Sequence, residues 1–359
     1  MRIAHLTDSY LPTVGGIEMH VRDLVDRQRR VGHDARVVTP APLPPGADED
    51  ADHVVRTGRR AAHWLTDFDP DLVHAHVSLS PYSLAGARWA ALAGIPTVAT
   101  VHSMLTGLGP LAGTLGDLSG VARWPVLWTA VSAAAAAPVR DIVGAPVRVV
   151  PNAVDLDAWR PRPTPPDGPP RVLAVMRLTR VKRTLPLARI LGDVARHVDV
   201  HATVVGDGPQ RPALTRYLRS HRLDGVHLTG TVDRSVVRRE LAAASIFLAP
   251  AHRESFGIAA LEARASGLPV VASARSGVAS YITHGVDGLL GDSDEDLAGH
   301  LLRLLTDDGL RRALTEHNRA VPPRCSWADA DVARADVYAA ALAARRHPRA
   351  ASPRRLVSS

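Results

Sequence analysis

The sequence predicts an α/β protein built from two doubly wound parallel-sheet domains. Three observations carry this expectation. At 359 residues the chain is long enough for two domains. Short β-rich runs alternate with helix-length segments, the pattern of a parallel sheet with crossover helices. The alternation halts at a proline-rich stretch, WRPRPTPPDGPP at residues 159–170, and then restarts.

In chain order, the first strand is expected over Arg2 to Thr7. An amphipathic helix follows, with Val21, Leu24, Val25 and Val31 on one face. Further strands are expected at Ala35 to Thr39, Asp71 to His76, Pro96 to Val101, Leu127 to Val131 and Val147 to Val150. The segment from Pro40 to Asp52, rich in proline and acid, reads as a mobile loop. Six prolines in the twelve residues from Trp159 exclude a helix and make a semi-rigid spacer. Beyond it, strands are expected at Arg171 to Met176, Val200 to Val205, Val226 to Thr229, Ser245 to Ala249 and Pro269 to Ser273. An Ala-rich helix runs from Trp327 to about Ala344, and the basic tail from Arg345 is expected to be disordered.

Composition narrows the function. A formal charge of +7 first suggests nucleic acid or an anionic membrane, but it is unevenly spread. Residues 1–158 carry a net −3, whereas the last fifteen residues contain five arginines and no acid. Aromatic residues make up only 4%, too few to furnish stacking platforms in a basic patch. Cys325 is the single cysteine, which excludes an internal disulfide and a Cys-based zinc site. The opening MRIAHLTDSY carries Asp8 and is expected to be a strand and turn rather than a signal peptide, and no long charge-free apolar run suggests a membrane span. A cytoplasmic protein is expected.

Open α/β sheets bind ligands at the carboxyl ends of their strands, so motifs there matter most. Gly15 and Gly16 open the first helix, where backbone N–H groups attract phosphate; a simple turn with a helix-start acid, Glu18, explains them equally. Arg177 and Lys182 follow the first strand of the second half, cations suited to a diphosphate. Arg180 and Arg183 beside them also fit a solvated basic loop, but Lys182 is the only lysine among 43 basic residues. Gly206 begins a GDGP turn, a weak signal alone. In PAHRESFGIAALEARASG, Glu254 precedes the Ser255-Phe256-Gly257 turn, and the helix from Ile258 carries Glu262. N–H groups around Phe256 and Gly257 would face an anion, with Glu254 on one side of it and Glu262 able to hold a ribose. An N-terminal capping acid and an exposed helix glutamate explain each acid singly. His102, at the end of a strand, is expected to face the cleft, although a lone histidine is often structural. The D-x-D triplets at Asp67–Asp69 and Asp155–Asp157 are not placed like a catalytic metal site.

Taken in order, GGIE, DLVHAHV, TVHS, TAVS, VVPNAVDLDAW, the Arg177/Lys182 pair, GDGP, ESFGIAALE, GLPVVAS and DGLL resemble family 4 glycosyltransferases from Arg2 to about Leu342. The resemblance implies the GT-B fold, two facing Rossmann-like domains with a C-terminal helix crossing back to the first. It implies an acceptor-side domain over 1–158, a nucleotide-sugar domain over 159–326 and a crossover helix over 327–344. It further implies nucleotide-sugar donors, no metal or other cofactor, and retention of anomeric configuration. By motif, Arg177 and Lys182 would neutralise the diphosphate, Glu254 would contact the donor sugar and Glu262 the ribose. Gly15 and Gly16 would approach phosphate and sugar from the other domain, and His102 would lie beside the transferred sugar. Gly206, Ser255, Phe256, Gly257 and Ile258 complete the implied donor-binding set.

Two positions depart from the family. SGVAS at 276–280 stands where Gly-Gly-x-x-Glu is usual, so an acid is missing. Arg264 occupies a position commonly held by Met and is expected to snorkel to solvent. The expected function is transfer of a hexose-type sugar from a UDP- or GDP-sugar to the hydroxyl of an alcohol, glycan or lipid-linked acceptor. The competing readings are a nucleotide-sugar-binding protein with little catalysis and a basic nucleic-acid-binding protein, the latter disfavoured. The basic tail is expected to give at most weak contact with the inner membrane face.

Overall fold

The computed structural model describes the chain except residues 14, 44–50, 59–60, 79, 106–113, 115, 118, 162–167 and 347–359. Half of the expected proline spacer, residues 162–167, lies outside the described residues, as do the basic tail beyond 346 and the middle of the expected mobile loop.

Two parallel sheets are present. The first contains β1 (Arg2–Thr7), β2 (Asp34–Thr39), β3 (Val54–Arg56), β4 (Leu72–Val77), β5 (Thr97–Val101), β6 (Leu127–Ala130) and β7 (Arg148–Val149). Their spatial order is β3-β2-β1-β4-β5-β6-β7. Helices α1 (Gly16–Arg30), α2 (Ala61–Phe68), α3 (Pro81–Leu92) and α4 (Ala133–Val143) connect them. The second sheet contains β8 (Arg171–Val175), β9 (His201–Val205), β10 (Val226–Gly230), β11 (Ile246–Ala249), β12 (Val270–Ser273) and β13 (Gly288–Gly291), in the order β10-β9-β8-β11-β12-β13. Its helices are α5 (Thr184–Val194), α6 (Arg211–Ser220), α7 (Arg234–Ala243), α8 (Ile258–Ala265), α9 (Asp294–Thr306) and α10 (Asp308–Ala320).

Both sheets reverse their winding beside their first strand, between β1 and β4 and between β8 and β11. Such a switch point leaves a crevice at the strand ends, because the loops on either side depart in opposite directions. The central strands are buried on both faces, as β4, β5 and β12 are along their whole length, so they read as continuous apolar runs interrupted by a few polar residues. The short β3 and β13 carry too little alternation to stand out in the sequence. Val31, expected on the buried face of α1, instead forms its C-cap and is 73% exposed.

The last helix, α11 (Trp327–Arg346), returns to the first sheet, where Val337, Tyr338 and Ala341 pack with Ile3, Val21, Leu72 and Val98. Arg27 on α1 pairs with Asp331 on α11 at 3.1 Å. Trp159, at the head of the proline-rich stretch, is 2% exposed. The guanidiniums of Arg234 and Arg238 lie over its ring at 5.2 and 5.9 Å.

Arg264 corrects the expectation of snorkelling. It is 2% exposed and donates to the carbonyls of Asn318 (3.1 Å) and Val321 (2.8 Å), with Asp287 at 3.4 Å. It therefore ties α8 to the end of α10, a buried charge made tolerable by its partners. Of the D-x-D acids, Asp69 pairs with Arg2, Asp157 pairs with Arg160, and Asp155 accepts backbone N–H groups of the following turn.

Candidate active site

The second sheet sets most of the site. β8 ends at Val175 and its loop carries Arg177 and Lys182, while β11 leads to Glu254. These segments flank the β8/β11 switch point, so the chain topology alone brings cations and acid together. The Lys182 ammonium donates to Glu254 Oε2 at 2.5 Å, with both side chains partly exposed. The loop is anchored by its neighbour. Arg183 takes a left-handed backbone conformation (φ 60°) and grips both oxygens of Asp294, at 2.6 and 2.9 Å, as well as the Pro250 carbonyl. Arg183 is thus a structural fork that turns Lys182 toward Glu254, not part of a solvated basic loop.

The turn after Glu254 is stacked on the SGVAS turn. Gly277 N–H donates to the Glu254 carbonyl at 2.6 Å, and a Cβ at Gly277 would lie 1.9 Å from the Ser255 carbonyl oxygen. Only glycine permits this approach. Tyr281 Oη donates to the Gly257 carbonyl at 2.7 Å, and Ser280, where an acid is missing, donates to Gly277. Gly257 caps α8, so the first N–H groups of that helix face the same crevice. Gly206 serves the backbone: a Cβ there would meet the Met176 carbonyl at 2.0 Å, so it lets β9 pass close behind the end of β8.

The first domain closes on this site from above. A Cβ at Gly15 would lie 3.2 Å from Arg177 Nη2 and 2.5 Å from Glu18 Oε2, and one at Gly16 would lie 3.4 Å from Ile258 Cδ1. Glu18 is buried and accepts from the Ser9 hydroxyl. Ser132, the N-cap of α4, donates across the domains to the Ser255 carbonyl at 2.6 Å.

Glu262 is 9% exposed rather than displayed on an outer helix face. Burial raises its carboxyl to about 7, opposed by the Arg234 guanidinium. Arg234 bridges the domains, donating to Glu262 Oε1 at 3.1 Å and to Asp23 Oδ2 on α1 at 2.9 Å. His102 is 3% exposed, not open to the crevice as expected. Its Nε2 meets His76 Nδ1 at 3.0 Å, while its Nδ1 has no hydrogen-bond partner among the described residues. Burial lowers its pKa to about 4, so the ring is neutral at physiological pH.

A cluster of His5, His74 and His76 places ring nitrogens within 4.8 Å of one another. All six of these nitrogens are already in hydrogen bonds, and no carboxylate in that cluster would balance a dication. The cluster reads as a hydrogen-bonded seam rather than a metal centre.

Comparison with known proteins agrees with this architecture. The family described as Glycosyltransferase Family 4 matches residues 14–158, and Glycosyl transferases group 1 matches residues 155–321. A D-inositol 3-phosphate glycosyltransferase of Xylanimonas cellulosilytica is 32% identical over 315 residues, covering 77% of this chain and 73% of that protein. The chain belongs to glycosyltransferase family 4. A glycogen synthase of Mycobacterium tuberculosis is 28% identical, with 98% of each chain covered. The crystal structure of Anabaena Alr3699/HepE in complex with UDP and glucose has a TM-score of 0.76 at 19% identity, covering 95% of this chain and all of that one. It shares the GT-B fold.

In this family 4 glycosyltransferase, the predicted residues fall into three groups. Arg177, Lys182, Glu254, Ser255, Gly257, Ile258, Gly15 and Gly16 line or abut one crevice, and Glu262 adjoins it through Arg234. Phe256 is 1% exposed and packs against Tyr281 at 5.1 Å between ring centroids, so its side chain is core and only its backbone faces the site. Gly206 and His102 stand behind the crevice wall. Sequence reasoning missed Arg234, Asp23 and Ser132. Arg234 opens a helix at the carboxyl end of β10, a position that could have marked it, but a chain with 43 basic residues hides one arginine among many.

Proposed function

We propose that the chain is a retaining, metal-independent glycosyltransferase that moves a hexose-type sugar from a UDP- or GDP-sugar to an acceptor hydroxyl. The observation that carries this reading is the Lys182–Glu254 pair at the β8/β11 switch point, with Arg177 beside it reaching to Gly15 of the other domain. Breaking a sugar–phosphate bond leaves negative charge on the departing diphosphate. Two cations and the N-terminus of α8 would stabilise that charge in place, which is worth most where water is excluded. Glu254, held by Lys182, would bond the sugar hydroxyls, and the Gly15–Gly16 turn would close over the sugar without side-chain bulk. Glu262 would hold the ribose once Arg234 yields one of its two carboxylates.

The test is direct. The purified protein is incubated with UDP-glucose and with GDP-mannose, with and without EDTA, and nucleotide release and the anomeric configuration of product are measured. Turnover of a donor, unaffected by EDTA and with retained configuration, is expected. Thermal stabilisation without nucleotide release would leave a binding protein, and no response to either class of donor would overturn the reading.

A further inference from the structure

Arg234 holds two acids that belong to different domains. It opens α7, just past the carboxyl end of β10. Its Nη1 donates to Asp23 Oδ2 on α1 of the first domain at 2.9 Å, and its Nη2 donates to Glu262 Oε1 on α8 of the second at 3.1 Å. All three side chains are partly withdrawn from water, so these bonds are screened less than those of a surface pair. The guanidinium lies over the ring of Trp159, 5.2 Å from its centroid, in the segment that leads from one domain to the other.

Sharing is the weaker use of a guanidinium. Two parallel N–H groups on the two oxygens of one carboxylate make the strong pair, and Arg183 forms it with Asp294 at 2.6 and 2.9 Å. Arg234 gives one nitrogen to each acid instead. Glu262 therefore receives half a fork, and among the described residues no other hydrogen bond reaches its carboxylate. Asp23 is better prepared to take the whole cation. Arg22 holds its Oδ1 through Nε and Nη2, at 3.1 and 2.8 Å, which leaves Oδ2 to Arg234. The two acids are also coupled through their charges: beyond the burial that raises the Glu262 carboxyl, Arg234 lowers it and Asp23 raises it.

We propose that Asp23 is a positioning residue that takes Arg234 over from Glu262 when the ribose of a nucleotide donor arrives. The inference rests on the donor site proposed above. A ribose diol presents two hydroxyl donors to Glu262, which then no longer needs the guanidinium. Without a second acid the displaced cation would be left half-buried and unpaired, and ribose binding would be weaker by that penalty. Asp23 is a carboxylate already in contact, and the Trp159 ring stays beneath the cation throughout. Because Asp23 belongs to the first domain, the bond lost within the second domain is replaced by one between the domains. Ribose recognition and closure of the first domain over the donor become a single event.

The experiment measures binding of UDP and of GDP to the full chain by isothermal titration calorimetry, each beside its 2′,3′-dideoxy analogue, which lacks the diol. Asp23→Asn is expected to weaken the nucleotide that the wild type binds about tenfold, the scale of one hydrogen bond to a charged group, and to leave the dideoxy analogue within about twofold. Arg234→Gln removes the cation that is exchanged, so Asp23→Asn added to it should change affinity no further. Equal weakening of the nucleotide and its analogue would overturn the proposal, because Asp23 would then only join the domains. Unchanged or tighter nucleotide binding by Asp23→Asn would overturn it too, as would a full Asp23→Asn effect on the Arg234→Gln background. The diol comparison in Asp23→Asn decides the matter even if Arg234→Gln does not fold. A wild type that binds neither nucleotide would refute the donor site and the proposal with it, whereas binding that ignores Asp23 refutes the proposal alone.

Discussion

Acidification provides a quantitative test of how the first domain and the Glu262 site are buried. His5 and His102 sit at about 4, against 6.5 for a free imidazole, chiefly because burial disfavours the charged ring. As pH falls below 6.5 the unfolded chain takes up protons that the native chain refuses until about 4, so the native state loses stability. Between pH 7 and pH 5 each of these two histidines removes about 2 kcal/mol of unfolding free energy. Glu262 acts oppositely. Raised to about 7 from 4.5, it binds its proton more readily when folded, and over the same interval it adds about 2 kcal/mol. The three groups together leave a net loss of about 2 kcal/mol. His20, His74 and His76, all pushed well below the ordinary histidine value, extend the loss in the same direction. The assay is urea unfolding followed by tryptophan fluorescence at pH 7, 6 and 5, with the slope against denaturant checked for constancy. His5→Gln should flatten the decline by about 2 kcal/mol, whatever it does to stability at pH 7. A free energy that holds steady or rises from pH 7 to pH 5 would refute the reasoning, because these imidazoles would then not be buried neutral.

Other predictions follow from single contacts. Lys182→Ala should cut donor kcat/KM by about 10- to 100-fold, the scale of a lost charge-assisted hydrogen bond, measured by nucleotide release. Arg234→Ala removes the cation that faces Glu262, so its destabilisation should be larger at pH 8, where the carboxylate is charged, than at pH 6, where it holds a proton; chemical unfolding at both values checks this. Gly277→Ala sets a methyl against the Ser255 carbonyl and should destabilise the second domain by about 3 kcal/mol, read as a lower thermal midpoint, with donor binding lost through the displaced turn. Tyr338→Phe, which takes the hydroxyl from both Gln28 and His74, should weaken docking of α11 and lower stability by about 2 kcal/mol, measured by urea unfolding.

Much of this fold is legible in the sequence, because each buried parallel strand is a short apolar run bounded by turn residues. Strand ends fall within a residue or two of their expected places, from Arg2–Thr7 through Val270–Ser273. The crevice is legible for the same reason: Arg177, Lys182 and Glu254 immediately follow strands, and strand ends at a switch point converge. Side-chain burial was harder to read. Arg264 has the composition of a surface residue, yet it is buried because the carbonyls of Asn318 and Val321 receive it from a helix 54 and 57 residues away. Val31 fits the helical period, but the helix ends beneath it. His102 is buried through contacts that run from His76 on β4 to His5 on β1 and Gln28 on α1, so no local pattern around TVHS reveals its partners. The alternation of histidines in RIAHLT and DLVHAHV was the available signal; on a strand it places His74 and His76 on one face.

The central claim is that the crevice at the β8/β11 switch point holds a nucleotide-sugar donor for glycosyl transfer. The most direct measurement is nucleotide release from UDP-glucose and GDP-mannose by the wild-type chain and by Lys182→Ala, side by side in EDTA. Release from at least one donor by the wild type, reduced at least tenfold in the variant, is expected. Equal release by the two proteins would contradict it.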